Sequence, residues 1–337
     1  MPRLTPAPRR AIIGFVARSG EYSRDKSCTM SAVLRSDPTV EKHVESEDEM
    51  QLGDARLMRV EDYLGLGFEP KVMFPAFEPE MWQAEREWLV PTYFSPEENK
   101  LRTSIHSWVV RTGHHTVLID SCIGNHKQRR IPRFHMRNEP WLDRLRAVGI
   151  VPEEVDFVMC THLHADHVGW NTRLENGRWV PTFPNARYLF GRTEFQRWDM
   201  RSPNYDGPSH NDFVFSDSIL PIAEAGQMVL IDDGHTVDDM LVVEPAPGHT
   251  PGHVRIRIRS RGREGIFSGD IIHHPVQLPF PELCSMFDDD QRSALQTRLK
   301  LLGDCADRDI LLMPSHFAEP HYCRIVGRGG RFGGIWG

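Results

Sequence analysis

The chain has 337 residues, 39% hydrophobic and 26% charged, a balance that suits a folded globular protein and gives no basis for long disordered tracts or a membrane span. Its formal net charge of −7 argues against nucleic acid as a partner, because binding a polyanion requires a clustered basic surface. Six cysteines (Cys28, Cys122, Cys160, Cys284, Cys305 and Cys323) lack paired spacing in a chain too large to need a disulfide framework, so they read as free thiols in a reducing, cytoplasmic compartment.

Residues 1–49 are polar, lack a clear period and read as a flexible tail. Their short apolar run after Arg9-Arg10 is closed by Arg18, which makes a poor signal peptide. Leu57, Val60, Tyr63 and Leu64 then begin a first strand. Next comes a Pro-rich aromatic stretch with Phe74, Phe77, Met81, Trp82, Trp88, Tyr93 and Phe94. It is either a packed connector or an apolar wall over a substrate pocket. Residues 104–110 and 116–120 read as strands joined by a turn at Gly113, the second ending in Asp120. Trp141, Leu142, Leu145 and Val148 share one helical face, and Gly149 is a fitting terminator.

An apolar run over residues 155–160 reads as a buried strand, with Cys160 as a small core residue. It leads directly into Thr161-His162-Leu163-His164-Ala165-Asp166-His167. Residues two apart share a face of a strand, so His162 and His164 fall together and the turn aims Asp166 and His167 at a neighbouring point. The spacing suggests two adjacent metal positions. A strand over 186–190, a short helix over 193–200 and a loop over 202–218 follow, and the loop is placed to border the pocket. Short strands are expected over 228–231, 240–244, 253–258 and 265–268, then a helix over 294–302 ending at Gly303 and a strand over 310–313. The alternating arginines Arg255, Arg257, Arg259, Arg261 and Arg263 read as a solvated strand face. The Gly-rich end, 326–337, reads as a mobile tail. Strands in two sets with helices outside suggest two sheets packed face to face and covered on both sides.

The H-x-H-x-D-H pattern resembles the signature of the metallo-β-lactamase superfamily of hydrolases. Three further motifs continue the resemblance in order: Pro247-Gly248-His249-Thr250-Pro251-Gly252-His253, Phe267-Ser268-Gly269-Asp270 and Pro314-Ser315-His316-Phe317. The resemblance implies an α/β protein with a four-layer αββα metallo-β-lactamase sandwich over residues 50–325. It also implies two divalent metal ions, most fittingly zinc, since imidazole and carboxylate without thiolate is a catalytic ligand set. On this reading His162, His164 and His249 hold one ion, Asp166, His167 and His316 hold the other, and Asp270 bridges them. Asp120 would orient ligands from behind, or else simply cap a strand. His253 would stand behind the ligands.

The expected reaction is attack of a metal-bridging hydroxide on a small ester-like substrate: a lactone, carboxylic ester or organophosphate ester. Asp166 would shuttle the proton, and His273 would hydrogen-bond a substrate oxygen. Gly269 to His273 and the closing Ser-His-Phe look similar to the lactonase and methyl parathion hydrolase branch, in which acyl-homoserine lactonases commonly carry tyrosine near the place of His273. The alternatives are a glyoxalase-II-like thioesterase and an iron-dependent persulfide dioxygenase-like oxidoreductase. A homodimer is compatible with all of these.

Overall fold

The computed structural model describes residues 49–337 apart from residue 204; the predicted N-terminal tail lies outside the described residues except for Glu49. Strands β1 (Glu49–Leu52), β2 (Ala55–Leu66), β3 (Phe94–Ser95), β4 (Lys100–Arg111), β5 (Thr116–Ile119) and β6 (Phe157–Met159) begin the first sheet. A separate hairpin of β7 (Thr172–Glu175) and β8 (Arg178–Pro181) intervenes. Strands β9 (Arg187–Gly191) and β10 (Met228–Ile231) then complete the order β1-β2-β4-β5-β6-β9-β10, with β3 on β4. The second sheet runs in chain order: β11 (Thr236–Val237), β12 (Leu241–Pro245), β13 (Val254–Ser260), β14 (Arg263–Phe267), β15 (Leu311–Met313), β16 (Cys323–Arg328) and β17 (Arg331–Trp336).

Alternation along the strands builds the layers. In β5, Val117 and Ile119 point into the core shared by the two sheets, while Leu118 points the other way; Leu189 and its neighbours Tyr188 and Phe190 divide in the same manner. The intersheet core joins Leu57, Val110 and Met159 to Leu241, Ile256, Ile258 and Phe267. On the outer face of the first sheet lie helices α4 (Trp141–Ala147), α5 (Arg192–Trp198) and α6 (Leu220–Glu224), with Trp141, Leu145, Phe195, Trp198 and Ile222 buried there. Helix α7 (Gln291–Arg308) covers the second sheet through Leu301, Leu302 and Cys305. This is the expected αββα order of layers, assembled from period-2 strands and one-sided helices.

Several expectations are corrected. Helix α7 does not stop at Gly303; it runs on to Arg308 and ends where Asp309 turns left-handed (φ 52°). A glycine inside a helix costs about 1 kcal/mol, and the burial of Leu301, Leu302 and Cys305 on either side of it outweighs that. The Gly-rich end is not a tail. Residues Arg331–Trp336 pair antiparallel with β16, which pairs with β15 in the second sheet. Trp336 anchors it, its ring centroid 6.0 Å from that of Trp88 and 5.2 Å from that of Tyr93.

The arginine row is not a solvated face throughout. Arg255 and Arg257 are buried and bind Glu244, Glu264 and Asp304. The aromatic stretch, with helices α1 (Pro70–Met73), α2 (Pro79–Ala84) and α3 (Arg86–Leu89), forms a core of its own. There Phe74, Phe77, Tyr93 and Phe94 pack with Val276, Phe280 and Leu283, and Trp82 lies 5.1 Å from Phe94. Trp82 and Trp88 are therefore packing residues and not pocket walls.

Candidate metal centre

Strands β5, β6, β9 and β10 are parallel neighbours in the first sheet, as are β14 and β15 in the second. The motif residues follow the carboxyl ends of these strands, the end at which parallel sheets present their loops to ligands. His162 to His167 follow β6, Asp270 follows β14 and His316 follows β15, while His249 comes from the loop between β12 and β13. Gly248 (φ 137°) lets that loop press on α7, because a Cβ there would lie 2.2 Å from the Ala294 backbone nitrogen. Gly269 (φ 51°) likewise leaves no room for a side chain against His253 and Thr161.

All seven sequence-predicted ligands converge. Nε2 of His162 lies 3.1 Å from Nδ1 of His164, and Nε2 of His249 lies 2.9 Å from that same Nδ1, so three ring nitrogens face one point. Nε2 of His167 and Nε2 of His316 lie 3.2 and 3.0 Å from Oδ1 of Asp270, and each is 3.8 Å from an oxygen of Asp166. Asp270 turns its other oxygen, Oδ2, toward the first group, 3.4 Å from His249 and 3.8 Å from His162. One carboxylate thus addresses both groups, one oxygen to each. His273 is brought to the same place, its Nε2 3.2 Å from Oδ2 of Asp270.

The residues fit divalent cations. Nε2 of His167 and Oδ1 of Asp270 are buried 3.2 Å apart without a well-aligned hydrogen bond, an arrangement that costs free energy unless something else engages them. Three imidazoles on one side, two imidazoles with a carboxylate on the other and a carboxylate between them form a nitrogen and oxygen set suited to borderline divalent ions. Burial holds His162 and His164 well below the ordinary histidine range, with the neighbouring His167 and His249 adding to it, so both rings are neutral and able to ligate. Burial alone would raise the Asp270 carboxyl, but His316, His167 and His273 hold it well below the usual carboxylate range. In His167 burial is outweighed by Asp270 and Asp120, which draw the ring well above its ordinary value.

Behind these atoms stands a supporting layer. Asp120 accepts from the backbone N–H of Thr161 (2.7 Å) and the Thr161 hydroxyl (2.8 Å), and lies 2.9 Å from Nδ1 of His167. This is more than a strand cap. His253 accepts the Asp270 backbone N–H on Nε2 at 3.0 Å, which places its ring behind the Asp270 carboxylate. Nδ1 of His316 lies 3.0 Å from the Ser104 carbonyl.

Two supporting carboxylates escaped sequence reasoning. Asp288 lies 2.9 Å from Nδ1 of His249 and accepts from the backbone of Ser285. Buried Glu194 accepts from the Leu163 backbone, the Trp198 indole and the Thr250 hydroxyl, which ties the first motif to the His249 turn. The only local signal for Asp288 was an acidic run ahead of α7, in which Asp290 is the helix cap. For Glu194 there was none beyond a charged residue on a buried helix.

A cleft with mainly apolar walls opens over the centre. Phe68, Ile131, Phe134 and Phe287 supply apolar walls, Arg133 and His210 are polar members, and Asp166 and His273 reach into it. None of the first six was singled out from the sequence, because each comes from a loop or short turn without a motif.

The sequence comparisons agree with the geometry. Residues 102–315 match the family model of the Metallo-beta-lactamase superfamily, and the chain belongs to that superfamily. An N-acyl homoserine lactonase AttM from Agrobacterium fabrum is 28% identical over 128 residues, 36% of this chain and 43% of the relative. An N-acyl homoserine lactonase from a Bacillus species is 27% identical over 116 residues, 34% of this chain and 38% of the relative. The match thus spans about two fifths of the length of these curated relatives. Among solved structures, a hydrolase AbOPH of the beta lactamase superfamily superposes with a TM-score of 0.72 at 26% identity, covering 86% of this chain and 96% of that one. The lactonase AidC shares the fold with a TM-score of 0.71 at 20% identity, over 86% and 96% of the two chains.

Proposed function

We propose that this chain is a metal-dependent hydrolase of small lactones or esters that holds two divalent ions, most fittingly zinc. The observation that carries the reading is Asp270, whose two oxygens each face a separate ligand group at the floor of an apolar-walled cleft. His162, His164 and His249 would hold one ion, and Asp166, His167 and His316 the other. Divalent ions so held supply a water acidic enough to attack at neutral pH and a Lewis acid for the carbonyl oxygen.

The chain's own residues do the rest. Asp120, Asp288 and the Ser104 carbonyl fix the ring orientations of His167, His249 and His316. Asp166, the most open member of the cluster, is placed to pass a proton to the leaving oxygen. His273 stands beside Asp270 on the cleft wall, where its ring can bond a substrate oxygen. The walls select for substrates with apolar parts, and the lactonase names of the relatives support a cyclic or acyclic ester over a β-lactam.

The test is elemental analysis joined to a hydrolysis panel of lactones, aryl esters, phosphotriesters, β-lactams and thioesters. About two divalent metals per chain, loss of activity on chelation and preference for lactones or esters are expected. Full activity with a single ion would overturn the two-ion reading, and turnover confined to thioesters would overturn the substrate class.

A further inference from the structure

Arg133 lies on a single helical turn, Pro132–Phe134, and its side chain lines the cleft together with Asp166, Asp270 and His316. The guanidinium rests on aromatic rings, its central carbon 4.3 Å from the ring centre of Phe68 and 4.8 Å from that of Phe134. Nε and Nη1 are buried without an acceptor, and among the described residues no carboxylate forms an ion pair with the group. Burial pulls it below the ordinary arginine value, and the charge of Asp166 offsets this only in part. The other buried arginines behave differently: Arg129 makes a two-pronged bond to Asp217, and Arg255 and Arg257 share Glu244. Buried guanidinium nitrogens left without an acceptor are costly, and stacking on two rings offsets only part of that cost.

We propose that Arg133 is a specificity-determining residue that binds an anionic group, a carboxylate, on the part of the substrate remote from the scissile ester. This inference rests on the hydrolase reading above. The rings of Phe68 and Phe134 pre-set the planar guanidinium, so little of its freedom is lost on binding, and a carboxylate is the acceptor that matches its charge. The charge balance points the same way. Asp270 faces the clustered histidines and Asp288 is engaged by His249 and Arg298; Asp166 acts on Arg133 only at a distance and without an ion pair, its oxygens facing His167 and His316.

The experiment compares kcat/KM for two aryl or alkyl esters that differ only in a distal group, a free carboxylate against its uncharged primary amide, in wild type, Arg133→Lys and Arg133→Leu. Wild type is expected to favour the carboxylate by at least about tenfold, chiefly through KM and less so at high salt. Arg133→Leu should bring the ratio to about one, and Arg133→Lys should keep part of it. Metal content should be unchanged in both, because the group is assigned to substrate and not to Asp166. A wild-type ratio near one, equal losses for both esters, or loss of metal in the variants would overturn the proposal. If Arg133→Leu does not fold, the wild-type ratio and its salt dependence still decide. Failure of the hydrolase reading shows separately, as absence of turnover of the uncharged ester by metal-loaded wild type.

Discussion

Arg255 and Arg257 on β13 and the histidines of the candidate metal centre are ionisable groups buried in the same sandwich, but their surroundings differ. Around the arginines the polar atoms satisfy one another. Arg255 bonds Glu244 at 2.7 Å and Asp304 at 3.0 Å, and Arg257 bonds Glu244 at 2.6 and 3.0 Å and Glu264 at 3.0 Å. Around the histidines the outward nitrogens of His167, His249 and His316 are met by Asp120, Asp288 and Ser104, while the inward atoms of His167 and Asp270 make no well-aligned hydrogen bond. A closed cluster joins elements of structure. A cluster bonded on its outer side and open on its inner side is shaped for something the chain does not itself supply.

The largest effect should come from the residue that both ligand groups share. Asp270→Ala removes both facing oxygens and would leave the two proposed cation sites without the charge between them. Metal content should fall toward one or none per chain, with activity down by more than about 100-fold. Retention of two metals and of wild-type turnover would show that Asp270 is not the link. Next is Asp166→Asn, which keeps shape and an acceptor oxygen but removes the proposed proton carrier. Turnover is expected to drop by about 10²–10⁴-fold while metal content changes less, as read from kcat and elemental analysis on one preparation. Asp288→Ala acts one layer out: it frees Nδ1 of His249 and should weaken metal affinity by about 10–100-fold, measured by chelator competition. If Asp288→Ala binds metal like wild type, the outer bonding of the histidines is decoration and the contrast with the arginine cluster loses its meaning.

How much of this was legible in the sequence depends on whether a residue acts through spacing or through contact. His162, His164, Asp166 and His167 were legible because their alternation after an apolar strand is itself the geometry, and Asp120 because it closes a strand that points at them. His249, Asp270 and His316 became legible through the ordered resemblance. Asp288, Glu194 and Arg133 were not, because each acquires its role from a neighbour distant in sequence: His249, Leu163 with Thr250, and Phe68. The row Arg255, Arg257, Arg259 shows the limit of pattern. Alternation correctly gave β13, but not that Asp304 of α7 and Glu244 and Glu264 of the adjacent strands would close over two of the three. Composition misled at the chain end, where four glycines among the last eight residues obscured the anchoring Phe332 and Trp336.

The smallest effect tests the closed cluster. Burial alone would raise the Glu244 carboxyl, but the bonds from Arg257 and Arg255 outweigh it and hold the group below its ordinary value of 4.5. A carboxylate whose pKa is depressed in the folded state adds stability that is fully present above the unfolded value and is lost as pH falls through the folded one. Glu244→Gln should therefore lower Tm by a few degrees near pH 7, equivalent to about 1–2 kcal/mol for bonds between charged groups at a partly exposed site. The gap between variant and wild type should stay constant down to about pH 5 and narrow below it, because the wild-type carboxyl then gives up its charge. Metal content and kcat should be those of wild type, because no atom of this cluster faces the histidines. Thermal melts from pH 7 to pH 4, run beside elemental analysis, decide the matter. A variant that loses metal, or a Tm gap that widens in acid, would mean that the two clusters are not the separate devices their bonding makes them.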